Sequence, residues 1–362
     1  MSRLKPMKPS SQKASNIIIN VLKKDPLDIM PNEFESIRQS LYQERRKQYP
    51  KCPTSIEDTR TALESGTFNA PAEMVFAFRN DVIMVTFQNN FSLLNDRSLF
   101  GDGTFKSSPQ CFYQLYTLHT EKLGHYIPLV FFLLPNKKEQ TYLTMLELLL
   151  DECRKREIDF SPKAINLDFE IATHNAFRHF FPDIEIRGCN FHLKQAWLRK
   201  AIELGLKKDY EDKDSDVHFW LRILFALPFL RPDQVPGFFM IDIASVSPLD
   251  SRTELFEQYL LKHYIEGKDF PPSLWASDEI DRPRTTNCCE SFHKYFQDIM
   301  NGHNPNIFKF LHKLDSLQVL TQMKLNAIEQ GKPAKKRQKK PQERITLGQD
   351  LQTVQRRQNH QV

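Results

Sequence analysis

The sequence predicts a mixed α/β fold, one sheet flanked by helices, and three observations carry that expectation. Runs rich in β-branched and aromatic residues crowd positions 81–134, a β-α-β-α alternation follows to about residue 190, and from there to about residue 326 the pattern is almost wholly helical. Hairpin-like strands followed by alternating strands and helices suit a mixed sheet better than a sandwich or a bundle.

The elements follow in order. Residues 1–15 are basic and rich in Ser, Pro and Lys, a composition expected to stay disordered. Phe34, Ile37 and Leu41 share one helical stripe in a short arm. Strands are expected at 82–87, 99–105, 112–119 and 125–134. Tyr142, Met145, Leu146 and Leu149 mark the buried stripe of a helix, followed by a strand at 164–168, a helix at 172–180 and a strand at 184–186. The helical half is cut by prolines 228, 232, 236, 248, 271, 272, 283 and 305, so it divides into short helices.

Composition narrows the function. With 11 glycines in 362 residues, and neither G-x-x-x-x-G-K-[ST] nor G-x-G-x-x-G, the chain lacks a phosphate-cradling loop of nucleotide-driven motors or nicotinamide enzymes. The longest apolar run, 126–134, contains Pro128 and is too short for a membrane span, and no apolar segment opens the chain, so neither a membrane nor a secreted protein is expected. Cys52, Cys111, Cys153, Cys189, Cys288 and Cys289 are irregularly spaced and read as reduced thiols.

Charge is uneven. Residues 331–362 carry +7 and residues 1–60 carry +5, which leaves −7 for residues 61–330 out of the total of +5. Nucleic-acid contact is therefore expected from arms and local patches rather than from the acidic body. Lys335, Lys336, Arg337, Lys339 and Lys340 form a run dense enough for a nuclear import signal or a DNA-binding arm; a solvated tail is the plain alternative.

Two aspartates stand out at strand positions. Asp102 sits between Gly101 and Gly103 inside an apolar run, where glycine permits close approach to the backbone. Asp168 ends an apolar strand at a strand-to-helix junction, where carboxylates point into the crevice that α/β sheets use for ligands. Taken singly, a turn residue and a helix cap explain them. Glu290 opens a helical run after Thr285, Thr286 and Asn287, with His293 on its face, and alone reads as a capping or dipole residue. Brought together, the three carboxylates would make a hard oxygen site for Mg²⁺ or Mn²⁺ suited to two-metal phosphoryl transfer. Cys189 and His192 have the C-x-x-H spacing of half a zinc site. The other half, sought among Cys288, Cys289 and His293, has no second C-x-x-C or H-x-x-x-H, which favours a buried Cys with a His reaching the acids over structural Zn²⁺.

At these residues the chain resembles the transposases of Mutator-like elements, the MULE family of DDE transposases. The resemblance rests on five ordered blocks. These are Gly101-Asp102-Gly103-Thr104-Phe105-Lys106; Gly124-His125 on to Leu133-Leu134-Pro135-Asn136-Lys137; Leu167-Asp168-Phe169-Glu170; Gly188-Cys189-Asn190-Phe191-His192 with Gln195 and Trp197; and Pro283-Arg284-Thr285-Thr286-Asn287 leading to Glu290 and His293. It implies a ribonuclease-H-like sheet core over 81–190, a helical insertion over 191–282 and catalytic helices over 283–330, between a basic N-terminal region (1–80) and a basic tail (331–362). It also implies that Asp102, Asp168 and Glu290 are the catalytic metal triad, with Lys106, Arg284, Cys189, His192 and His293 as accessory residues. The implied activity is metal-dependent DNA cleavage and strand transfer in the nucleus by a homo-oligomer on DNA ends. The alternative is an inactive transposase-derived DNA-binding or protein-interaction factor. The family's usual N-terminal zinc finger is missing, since residues 1–80 hold one Cys and no His.

Overall fold

The computed structural model describes residues 14–24, 30–47, 51–95, 98–279, 285–300 and 302–334. Arg284 and the run Lys335, Lys336, Arg337, Lys339 and Lys340 lie outside the described residues. Helices α1 (Ala14–Lys24), α2 (Pro31–Lys47) and α3 (Ile56–Glu64) precede the sheet. The sheet is built from β1 (Met74–Arg79), β2 (Val82–Phe87), β3 (Ser98–Thr104), β4 (Gln114–Lys122) and β5 (His125–Leu134). Helix α4 (Glu139–Arg154), strand β6 (Ala164–Leu167), α5 (Ile171–Phe180) and β7 (Glu185–Gly188) complete the alternating part. The insertion then follows as α6 (Asn190–Glu203), α7 (Lys207–Glu211), α8 (Asp216–Leu224), α9 (Val235–Gly237), α10 (Ser251–Leu260) and α11 (Pro272–Trp275). Helices α12 (Asn287–Met300) and α13 (Ile307–Glu329) close the described chain.

The seven strands lie in the order β1-β2-β5-β4-β3-β6-β7. Pairs from β1 to β3 across the sheet are antiparallel, whereas β3–β6 and β6–β7 are parallel. This is the ribonuclease-H-like mixed sheet, widened at one edge by the β1–β2 hairpin. Strand-like character was expected from residue 81; β1 extends the sheet before that point. Its signal is the two-residue turn Asn80-Asp81, in which Asn80 adopts φ 49°, a conformation Asn tolerates in tight hairpins.

Period-two alternation sends the two faces of each strand to different helices. Val82 and Met84 join Leu118 and Phe132 against Met145 and Leu149 of α4 and Phe177 of α5. Ile83, Val85 and Phe87 join Leu115 and Phe131 against Phe296 of α12 and Phe308 and Leu311 of α13. The insertion shares the first of these cores. Trp197 of α6 is fully buried, with ring centroids 5.6 Å from Tyr264 and 5.5 Å from Trp275. No helix among the described residues is long and apolar enough to cross a membrane. All six cysteines are free.

The glycines around Asp102 admit neighbours from within the sheet. A Cβ on Gly101 would lie 2.8 Å from Leu167 Cδ2 and against the Tyr116 hydroxyl, and one on Gly103 would collide with the Gln114 amide. Gly101→Ala therefore overpacks a buried strand and should destabilise the protein by about 1–3 kcal/mol, read as a lower midpoint in denaturant unfolding. An unchanged midpoint would show that Tyr116 and Leu167 yield freely.

Candidate metal centre

Three elements bring the acids together. Asp102 lies in β3 opposite Thr117 of β4 and is buried. Phe100 pairs with Asn166 in the parallel β3–β6 ladder, so Asp168, the first residue beyond β6, emerges at the same end of the sheet. Glu290 stands in the first turn of α12, whose side toward the sheet packs through Phe296 and Met300. The loop leaving β3 is tied to the α12–α13 connection, where Lys106 O accepts from Asn304 N at 3.1 Å and Gln110 N donates to Pro305 O at 3.0 Å. Lys106 itself is exposed.

The acids feel one another. Burial, with the charges of Asp102 and Glu170, pushes the Asp168 carboxyl up to about 6. Burial and the Asp102 charge also raise Glu290, against the pull of His192 and His293. Glu290 Oε1 is buried without a hydrogen-bond partner. Hard carboxylate oxygens raised by a neighbouring carboxylate, one of them without a hydrogen-bond partner, fit a divalent cation such as Mg²⁺ or Mn²⁺.

Histidines supply the internal counterweight. His293 Nδ1 lies 3.2 Å from Asp102 Oδ2, its Nε2 lies 2.9 Å from Thr117 Oγ1, and His119 Nε2 lies 3.1 Å from the same hydroxyl. Burial holds His119 well below its ordinary range, hence neutral. One consistent proton arrangement results: His119 donates to Thr117, Thr117 to His293 and His293 to Asp102. Thr117 and His119 were not among the expected site residues. Their signal is a Thr and a His two apart in an apolar strand, hence on one face.

Cys189 and His192 belong to the same centre. Cys189 N donates to Leu167 O at 2.8 Å, which sets Cys189 beside Asp168, and Gly188 leaves room for the Phe169 ring, 2.7 Å from where its Cβ would be. Cys189 Sγ accepts from Thr286 N at 3.2 Å and Thr286 Oγ1 at 3.3 Å, binding the start of the insertion to the start of α12. His192 Nε2 is 3.6 Å from Glu290 Oε1. Burial works against charge on His192, yet the Cys189 sulfur and the charges of Asp102 and Asp168 push the imidazole up to about 9. Burial likewise opposes a charged sulfur, but the neighbouring His192 and the bonds from Thr286 hold the Cys189 thiol below its ordinary range.

Among the described residues, the Cys, His, Asp and Glu side chains that gather three ligand atoms within 4.8 Å of one another are Cys189, His192 and Glu290. Asp102 and Asp168 do not join that group. Glu290 thus joins the C-x-x-H pair, as a His reaching the acids would have it, whereas the candidates Cys288, Cys289 and His293 do not: His293 turns to Asp102, and the Cys288 and Cys289 sulfurs lie 3.8 Å from each other. Behind Asp168, Tyr142 Oη donates to Glu170 Oε1 at 2.8 Å and Lys137 Nζ pairs with Glu170 Oε2 at 2.6 Å, fixing the loop that carries the second acid.

The raised Asp168 carboxyl has a pH signature. Between about pH 4 and 6 the folded protein holds a proton that the unfolded chain has released, so this group's contribution to stability falls as pH rises through that window. The difference is on the order of 2–3 kcal/mol. Asp168→Asn should flatten the slope, melt at or above the metal-free parent near pH 7, and gain less than the parent from millimolar Mg²⁺ or Mn²⁺. Thermal shift at fixed ionic strength measures all three; equal metal responses would separate Asp168 from the cation site.

No curated protein matches the chain. The stretch from β3 to the middle of α6 does find a match: residues 98–196, which hold Asp102, Asp168, Cys189 and His192 but not Glu290, are similar to the model of the MULE transposase domain.

Proposed function

We propose that this chain is the catalytic protein of DNA transposition, a DDE-type transposase that cleaves DNA phosphodiesters and transfers the strand. The observation that carries the reading is that Asp102 of β3, buried in the sheet, raises both Asp168 at the end of β6 and Glu290 of α12 through its charge. The MULE match over the first two supports it. Asp102, Asp168 and Glu290 would hold the Mg²⁺ or Mn²⁺ ions. When bound, such ions activate the attacking water or 3′-hydroxyl and stabilise the leaving oxygen of a phosphodiester.

The chain's own task is positioning. His293 holds the Asp102 carboxylate in one orientation, and the Tyr142–Glu170–Lys137 group holds the loop of Asp168. His192, whose Nε2 lies 3.6 Å from Glu290 Oε1, orients the third acid. On this reading Lys106 and Arg284 are phosphate-contacting residues, and the protein works in the nucleus as a homo-oligomer on DNA ends.

Asp102→Asn, Asp168→Asn and Glu290→Gln should each abolish metal-dependent nicking of supercoiled DNA while keeping the fold. Losing one hard ligand removes several kcal/mol of transition-state stabilisation, on the order of a thousandfold in rate. A variant that nicks at the parental rate excludes its residue from the site. A parental protein that binds DNA but never nicks it supports the inactive, transposase-derived factor instead.

The basic tail carries the second test. Deleting residues 331–362 removes seven net positive charges. Non-specific DNA binding should weaken and its salt dependence become shallower, by about 0.9 in log–log slope for each phosphate no longer neutralised. Nuclear accumulation should drop as well. Unaltered slope and distribution would reduce the tail to a solvated end.

A further inference from the structure

Cys189, His192 and Glu290 differ from the three acids in chemistry as well as in spacing. They offer a thiol sulfur, an imidazole nitrogen and a carboxylate oxygen within 4.8 Å of one another. Mg²⁺ and Mn²⁺ favour oxygen donors, whereas Zn²⁺ takes sulfur and nitrogen readily. Three protein ligands with a fourth position left over is the pattern of zinc sites that admit water or substrate.

The surroundings suit a cation of that kind. Cys189 is wholly buried, and its sulfur accepts both a backbone N–H and a hydroxyl from Thr286, outer bonds of the type that orient a thiolate ligand. His192 Nδ1 and Glu290 Oε1 are each buried without a hydrogen-bond partner, and Oε1 meets His192 Nε2 only as a long ion pair of 3.6 Å. The backbone sets the spacing. Cys189 caps α6 and His192 lies in its first turn, while Glu290 lies in the first turn of α12.

We propose that Cys189, His192 and Glu290 bind one Zn²⁺ ion, separate from the Mg²⁺ or Mn²⁺ assigned to the three acids, with Glu290 as the carboxylate that the two sites share. Oε1 faces His192, which leaves the second oxygen for the acids. Such an ion would clamp the start of the insertion to α12 and so fix where the third acid stands. The site is inferred from the Cys and His donors and does not require that the protein cleave DNA.

The full-length protein, purified without chelators, should carry about one zinc per chain by elemental analysis. Cys189→Ser and His192→Ala should lose most of it, and Asp168→Asn should keep it. Because a change at buried Cys189 can also act by unfolding, a second measurement uses the parental chain alone. Replacing the metal with Co²⁺ should produce the thiolate-to-metal charge-transfer absorption that only a sulfur ligand gives. A parental chain without zinc, a Cys189→Ser chain with undiminished zinc, or a Co²⁺ spectrum without that band overturns the site. Zinc lost equally from Asp168→Asn would put the ion among the acids and overturn its separateness. Zinc retained in a protein that never nicks DNA would defeat the transposase reading and leave this one standing.

Discussion

Carboxyl groups that repel one another inside the protein set the terms for everything around them. Asp102 raises both Asp168 and Glu290, and burial raises them further. Such charges must be offset or protonated, since an unpaired buried charge is among the costliest features a fold can carry. The offsets come from separate elements: His293 from α12, His192 from α6 and Lys137 from the loop between β5 and α4. Each is partial, because the Asp168 carboxyl still sits near 6 and a Glu290 oxygen still lacks a hydrogen bond. The protein thus contains a centre that its own side chains leave under-neutralised, and that is the electrostatic condition for cation binding.

Where the third acid stands depends on attachments distant in sequence. Glu290 follows Asp168 by 122 residues. Closing so long a connection costs only slightly more entropy than closing a short one, so the insertion is tolerated provided that it is itself packed. It is packed against the sheet's own core through Trp197, Trp220 and Trp275. Helix α12 is then held from two sides: Phe296 and Met300 enter the core on the other face of the sheet, and Thr286 binds Cys189. Cys189 is therefore a joint between the insertion and the last acid.

Apolar runs and the β-α-β-α order made the sheet legible, because burying both faces demands apolar residues at nearly every position of β2 and β5. The edge strand β1 is only partly buried and hence less marked, and its signal lay in the Asn80-Asp81 turn instead. The three acids were legible as a set only through the ordered motifs around them, since each alone fits a cap or turn. The Thr117–His119 relay was not, because cross-strand neighbours depend on register, and register is fixed by the whole sheet. Cys189 and His192 were visible by spacing, yet their third partner comes from a helix whose approach only the packed insertion determines.

The distribution of charge and the chemistry of the centre impose one division of labour. A body carrying −7 over residues 61–330 resists polyanions on average, and the acids at its centre sharpen that resistance locally. A cation at the centre reverses the sign there without altering the rest of the surface. On the proposed function, DNA affinity then resides in the basic ends, which act through screened, length-tolerant attraction, while the centre accepts a phosphodiester only when it holds metal. Binding and chemistry are separable because they rest on different charges in different parts of the chain. Metal occupancy, rather than DNA affinity, would then gate cleavage.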